Sequence, residues 1–337
     1  MKKFFIGIDV SKPFFDASIL VVNDHVKQPI QSQRFDNTKE GLKDFERWVK
    51  SFEVTFDNNT LLVIENTGIY HRLLWQFSNK KNLPIHIGNA AHIKWSFGIA
   101  RGKNDKIDSI RLCNYACKQA DELKSAAVLS PEILQLKDLW TARRKLLSQL
   151  TSMRNYLKEL KEVNDKSSQE IIEKAHKQAL NGMTKSLKDI EVQIARIIKE
   201  NKEIKQNYKL LLSVPGIGQW TATYLICCTH NFASRVTGKQ LACYAGVAPF
   251  GHSSGISIKG KDRVHKMANK ELKKLLYMGA MSVINNCKEF SVYYQRKLDE
   301  GKKSMSVINA VKNKILLRAA AVVNKQRPYV DNRNIAA

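Results

Sequence analysis

The chain reads as an α/β domain built on a mixed sheet, then a long helical hairpin, then a mostly α-helical C-terminal segment. Three observations predict this. Up to about residue 125, short β-rich runs separated by polar breaks give way to strands alternating with helical spacings. Two long tracts after Pro131 then repeat apolar residues every three or four positions. Finally, composition changes near Tyr208: residues 206–250 contain no acidic side chain, and Gly, Pro and aromatic residues enter.

The first strands are expected at 3–10 (KFFIGIDV), 14–22 (FFDASILVV) and roughly 25–35. Helical spacing through Leu42, Phe45 and Val49 predicts a helix over 38–51, with Thr38 as N-cap. Leu61 to Ile64 is a short buried strand ending at Glu65, followed by a helix from about Ile69 to Lys80 and a strand from Pro84 to Ile87. Another helix begins near Asn104 and runs to about Leu123. Three strands, then helix, strand, helix, strand, helix, predict a mixed sheet with helices on its faces.

Beyond Pro131, one apolar seam runs through Leu136, Leu139, Leu146, Leu150, Met153, Leu157 and Leu160. A second runs through Leu180, Met183, Leu187, Ile190, Ile194, Ile197 and Ile204, with Asn201 on the same seam. Ser167 to Glu170 (SSQE) has the form of a capping box between them. Two striped helices joined by a short turn predict an antiparallel coiled-coil hairpin, or the core of a bundle. The expected domains are 1–128, 129–206 and 207–337, the last broken by a glycine- and serine-rich loop near 249–261.

The formal net charge is +25 over 337 residues and is unevenly spread. Residues 1–100 carry 13 basic against 10 acidic side chains, or +3, and residues 251–337 carry 18 against 6, or +12. Such concentration favours a polyanionic partner, because each neutralised phosphate releases condensed counterions. No apolar run reaches 18 residues, so no bilayer-spanning segment is expected. The opening MKKFFIGIDVSK meets Asp9 too early for a secretory signal and reads as a strand. None of the six cysteines forms a CxxC pair or a zinc-finger spacing, so free buried thiols in a reducing cytoplasm are expected.

Four acids stand out. Asp9 lies inside an otherwise apolar strand, where an unpaired carboxylate is costly. Glu65 ends the fourth strand, and Asp105 and Asp108 in K-N-D-K-I-D-S share one face of the helix they begin. Acids from two strands and a helix can converge where the strands end. Hard oxygen ligands of this kind hold Mg²⁺, with Mn²⁺ the alternative ion, and suit phosphoryl transfer. Asp16, in the second strand, is set aside as a surface or capping group.

The strand order and the acids Asp9, Glu65, Asp105 and Asp108 resemble the RuvC branch of the RNase H-like fold. More narrowly, K-N-D-K-I-D-S is similar to the K-T-D-x-x-D-A signature of the DEDD transposases, the Piv-like recombinases of insertion-sequence family one-ten. In the C-terminal segment, L-L-S-V-P-G-I-G-Q-W-T-A-T-Y-L-I (Leu211 to Ile226) has the form of a helix-hairpin-helix. Pro215, Gly216 and Gly218 would make its turn, offering backbone amides to a DNA phosphate without reading sequence. Leu241 to Gly255 is similar to the family's A-G-L-x-P…S-G stretch, which places the family's serine nucleophile at Ser254, with Ser253 the near rival. Lys259, Lys261, Arg263 and Lys266 follow as cations for DNA phosphate. The family's Gly-Asn appears as Ala268-Asn269 and its Ser-Lys as His265-Lys266.

The resemblance implies a transposase, cytoplasmic and nucleoid-associated, that cuts and rejoins donor and target DNA with Mg²⁺ on the acids and a phosphoserine link. It also implies a structured guide RNA encoded by the element. A dimer or tetramer is implied as well, in which the acids of one subunit meet the serine of another. A site-specific DNA invertase of the same family, a RuvC-like junction nuclease using the acids alone, and a nucleic-acid-binding architectural protein are the alternatives.

Overall fold

The computed structural model describes residues 2–66, 68–97, 104–126, 128, 130–163, 166–254, 258–264 and 268–330, with 163, 252–254 and 258–263 described by their backbone alone. The chain divides into two compact units, Met1–Val128 and Leu129–Ala337. Among the described residues no helix is long and apolar enough to cross a membrane. All six cysteines are free thiols; Cys113 and Cys227 are buried as expected, whereas Cys243 is exposed.

The first unit is a mixed sheet with helices. Its elements are β1 (Lys2–Val10), β2 (Phe14–Asn23), β3 (Val26–Lys27), β4 (Gln31–Asp36), α1 (Lys39–Lys50), β5 (Thr60–Glu65), α2 (Arg72–Lys80), β6 (Ile85–Gly88), α3 (Ala90–Ser96) and α4 (Asp105–Lys118). The strands run in the order β3-β2-β1-β5-β6, with β4 also paired to β2. β1 is antiparallel to β2 and parallel to β5, and β5 is parallel to β6. The expected third strand is two pieces, because Pro29 between them has no N–H to give a ladder. Thr38 caps α1 as anticipated, its side chain accepting from Gly41 N at 3.1 Å. α2 starts three residues late, after a turn at Gly68 with φ +81°, and α4 stops at Lys118 rather than near Leu123. α3, capped by Asn89, was not anticipated; its seven residues are too few to show a period.

One face of the sheet carries an aromatic cluster, Phe15, Phe35 and Phe45 with ring centroids 5.5 Å apart, under α1. The other face carries α4. Phe5, Leu20 and Val63 pack there against Leu112, Cys113 and Ala116. The approach is closest at Gly7, where a Cβ would lie 2.0 Å from Cys113 N and 2.4 Å from Ser109 O. Polar groups flanking this seam are satisfied within it: Ser18 Oγ lies 2.7 Å from Ser109 Oγ, and Cys113 Sγ donates to Phe5 O at 3.0 Å. Burial pushes the Cys113 thiol up to about 12, so it stays protonated.

The second unit is mostly helical: α5 (Pro131–Val163), α6 (Lys166–Glu200), α7 (Lys202–Leu212), α8 (Gln219–Thr229), α9 (Gly238–Tyr244), β7 (Pro249–Ser254), β8 (Ile258–Val264), α10 (Lys270–Asn286), α11 (Lys288–Asp299) and α12 (Ser304–Lys325). α5 and α6 lie antiparallel, since Arg143 pairs with Glu191 at 2.8 Å and Lys161 with Glu173 at 3.0 Å. Their near ends do not form a separate body. Ile133, Leu136, Trp140, Ile194, Ile197 and Ile198 share one core with α7 to α12.

Three expectations fail here. SSQE lies inside α6, which is already helical at Lys166, so Ser167 caps nothing. Asn201 is not on a continuing seam; it breaks the helix with φ −89°, ψ 117° and caps α7 by accepting from Ile204 N at 3.0 Å. Within the stretch near 249–261, the described residues are not loop but the antiparallel strands β7 and β8, with an irregularity between Phe250 and His252. Its glycines masked the alternation that marks strands.

The close approach at Gly7 yields a test. Gly7→Ala must push α4 off β1, because the added carbon meets backbone rather than a side chain that could turn aside. A loss of about 3 kcal/mol is expected, read as an early-melting transition in calorimetry, and an unshifted first transition would refute the packing.

Candidate active site

The two-residue period of β1 decides where Asp9 points. Phe5 and Gly7 face α4, so Asp9 continues on that face at the C-terminal end of the strand. On β5, Val63 faces α4 and Glu65 follows two residues later. Because β1 and β5 are parallel with Ile8 beside Ile64, Asp9 and Glu65 end neighbouring strands. α4 begins at the same end of the sheet. Asn104 caps it, accepting from Lys106 N at 3.0 Å, and Asp105 and Asp108 occupy its first turn, where the helix dipole favours negative charge. All four acids, from two strands and one helix, line a single cavity of about 580 Å³.

A fifth carboxylate belongs to this cavity, and sequence reasoning set it aside. Asp16 sits directly across the ladder from Asp9 and is only 6 % exposed. The signal was present, since Asp16 is also an acid within an apolar strand. Arg34 holds it at 2.8 Å and reaches Asp105 at 3.5 Å, while its guanidinium stacks 3.8 Å from the Phe14 ring centre. Arg111 Nη1 donates to Asp108 Oδ1 at 2.8 Å.

Burial is the main cause that lifts Asp9, to about 6, and the charges of Asp105, Asp108 and Glu65 lift it further. A carboxyl so placed asks for a cation. The donors are hard oxygens of the kind Mg²⁺ takes. Among the described residues, however, no three Asp, Glu, His or Cys side chains are gathered tightly enough to hold one ion. Asp105 and Asp108 are turned to Arg34 and Arg111 instead.

In the second unit, α7 and α8 flank the turn 213–218, the two helices and turn expected of the helix-hairpin-helix. Its two glycines differ in role. Gly216 has φ +89° and a Cβ there would lie 2.7 Å from Ile315 Cδ1, while a Cβ on Gly279 would lie 2.1 Å from Gly216 O. Gly216 therefore docks the turn onto α10. A Cβ at Gly218 would meet no heavy atom within 4 Å, and this residue starts α8 with no side-chain cap. Its open side is where a phosphate could approach amides.

Ser254 is the last residue of β7, in register with Ile258, and Ser253 pairs with Lys259. Lys259, Lys261 and Arg263 fall at alternate positions of β8. Gly255 and Lys266 lie outside the described residues. Asn269 anchors the segment that follows: it caps α10 by accepting from Leu272 N at 2.8 Å and donates to Tyr244 Oη at 2.7 Å and Tyr224 Oη at 2.9 Å. Burial raises both tyrosines, which stay protonated. Sequence reasoning found the cap but not the tyrosines, which carry no local signal.

Comparison with known proteins bears on both units. The family described as "Transposase IS116/IS110/IS902 family" matches residues 208–295, and a second family, described as "Transposase" and of the IS110 DEDD type, matches 6–162. The chain belongs to the IS110 transposase family. It is a DNA recombinase. The first match spans the turn and β7–β8, and the second spans all four acids. The transposase is 29% identical over 346 residues to the pilin gene-inverting proteins of Moraxella bovis and Moraxella lacunata, covering 98% of this chain and 98% of each of those proteins. It is also 36% identical over 93 residues to the insertion element IS110 43.6 kDa protein of Streptomyces coelicolor, 28% of this chain and 23% of that protein.

Two tests follow from this geometry. Because Asp9 titrates near 6 in the fold and near 3.8 outside it, its charge opposes folding above pH 6 and is absent below 3.8. Asp9→Asn should raise the metal-free melting temperature by a few degrees at neutral pH, the gain fading as pH falls from 6 towards 4; a pH-independent difference would refute it. For the turn, Gly218→Val should keep the fold yet weaken duplex binding equally across unrelated sequences. Gly216→Val should unfold the second unit, as circular dichroism would show.

Proposed function

We propose that this transposase cuts and rejoins DNA with an RNase H-like acid site and a serine nucleophile. Asp9, Glu65, Asp105 and Asp108 would hold Mg²⁺ or Mn²⁺, Asp105 and Asp108 by turning from their arginines, with Asp16 and Arg34 behind them. The observation that carries this reading is the convergence of four acids from β1, β5 and α4 on one cavity. When bound, the ion supplies charge to stabilise the leaving and attacking oxygens of phosphoryl transfer.

Ser254 is assigned the attack. Its oxygen bonds to a DNA phosphorus as one strand P–O bond breaks, leaving a phosphoserine diester and a free strand hydroxyl. A partner strand's hydroxyl then attacks that diester, joining the strands and returning the serine. The number of phosphodiester bonds is conserved, so no external energy source is needed. Lys259, Lys261, Arg263 and Lys266 would hold the phosphate, and Pro215, Gly216 and Gly218 the backbone nearby. The reading includes an oligomer in which the acids of one subunit act with the serine of another. It also includes a structured guide RNA; the net charge of +25 is compatible with one.

A second reading, site-specific inversion, is favoured by the full-length similarity to proteins named for inverting a pilin gene. Both readings share one chemistry.

Ser254→Ala should bind DNA normally yet form no covalent adduct on a denaturing gel, while Ser253→Ala keeps most activity. Asp105→Ala and Asp108→Ala should each abolish cleavage, by a hundredfold or more. An adduct mapped to Ser253 or to a tyrosine, or product formed by Ser254→Ala, would overturn the nucleophile assignment.

A further inference from the structure

Lys312, on α12, is the one lysine in the buried set of described residues, with 3 % of its surface exposed. The other cations along this helix are accommodated differently. Arg318 is ion-paired with Glu289, and Lys314, half-buried, lies 4.3 Å from the Tyr293 ring centre. The Lys312 ammonium sits 4.9 Å from the centre of the Tyr277 ring and has no hydrogen bond or ion pair among the described residues. A ring face is a weak partner compared with a carboxylate, and a largely desolvated ammonium without an anion is disfavoured. The neighbouring charge makes matters worse. Burial first, and then the positive charge of Lys273 on α10, push the Lys312 ammonium below the ordinary lysine range. Among the described residues, the one charge named as acting on Lys312 is thus a second cation.

Location adds a second observation. Asn309, one helical turn before Lys312, donates Nδ2 to Val247 O at 2.9 Å, and Val247 lies two residues before β7 begins. This part of α12 is therefore fastened to the root of β7, the strand that ends at Ser254. Lys273 and Tyr277, which flank the ammonium, are only partly buried, so it can be approached between them.

We propose that Lys312, with Lys273 beside it and Tyr277 beneath it, is a subsite for one phosphodiester of a nucleic-acid backbone. Its single negative charge would be shared between the two ammonium groups, and it would be held near the base of β7–β8. A backbone phosphodiester carries one negative charge on two non-bridging oxygens, so each ammonium would meet one acceptor. The inference rests on the chain acting on nucleic acid, and not on which serine attacks or which ion the acids hold.

The test is equilibrium binding of the full-length protein to duplex DNA and, separately, to structured RNA, both of arbitrary sequence, in chelator across a range of salt. Lys312→Met keeps the apolar stem and removes the charge. Its affinity should fall about tenfold at 0.1 M salt, and the slope of log affinity against log salt should drop by about one, the signature of one lost phosphate contact. The melting temperature of the free variant should hold or rise, because a partly desolvated charge beside Lys273 is gone. Lys273→Met, at a more exposed position, should move the slope in the same direction. Loss with DNA alone or RNA alone supports the subsite and names its source. An unchanged slope with both nucleic acids overturns it, and so does weaker binding that comes with a lowered melting temperature at unchanged slope, which would make Lys312 a strut against Tyr277. Since no cleavage is measured, an error in the nucleophile or metal assignment would leave these slopes untouched.

Discussion

The contact on which the acid site depends is the one between α4 and β1 at Gly7. There the helix backbone lies where any side chain would stand, with the added carbon 2.0 Å from Cys113 N. That contact sets both the depth and the register of α4 on the sheet. With Ser109 and Cys113 over Gly7, the first turn of the helix falls over the end of β1, and Asp105 and Asp108 reach the cavity that Asp9 and Glu65 line. A side chain at position 7 would lift the helix and separate the acids that the strands supply from those that the helix supplies.

Bringing the acids together costs stability, and the structure limits the cost by local means. Asp16, across from Asp9, is neutralised by Arg34, whose guanidinium is stacked on Phe14 and shared with Asp105. Asp108 has Arg111 one turn along its own helix. Asp9 carries the remaining strain, as its elevated protonation range shows. Functional sites commonly keep charge in arrangements that folding alone would avoid, because the site is completed by what it binds.

The second unit depends on a similar device. Gly216 and Gly279 let the turn between α7 and α8 sink against α10, with Ile315 of α12 beneath it. That seating leaves Gly218 and the start of α8 open. α12 runs through the same core, with Val311, Ile315, Leu316 and Ala319 fully buried. The turn, the root of β7 and Lys312 are thus positioned by one central helix. A cation with no ion pair among the described residues, within so apolar a helix, is the feature that packing alone does not explain.

Local order was legible in the sequence wherever periodicity or capping chemistry was strong: β1 and β2, α1 with its Thr38 cap, β5 ending at Glu65, α4 opening on Asn104, and the two long helices. The four acids were legible because each breaks an apolar strand or opens a helix. Other features were not. The seven residues of α3 are too few for a period, Pro29 split a strand that its residue types favoured, and glycines hid the alternation of β7 and β8. A run of residues specifies its own backbone preferences and which side it presents. Only packing decides what that side meets. That Asp16 joins the acids, that Asn201 ends a helix rather than extending a seam, that Gly216 serves docking while Gly218 stays open, and that Lys312 is buried beside Lys273 all depend on contacts between residues far apart in the chain. No local pattern encodes such contacts, because each is set by how deeply one element can approach another.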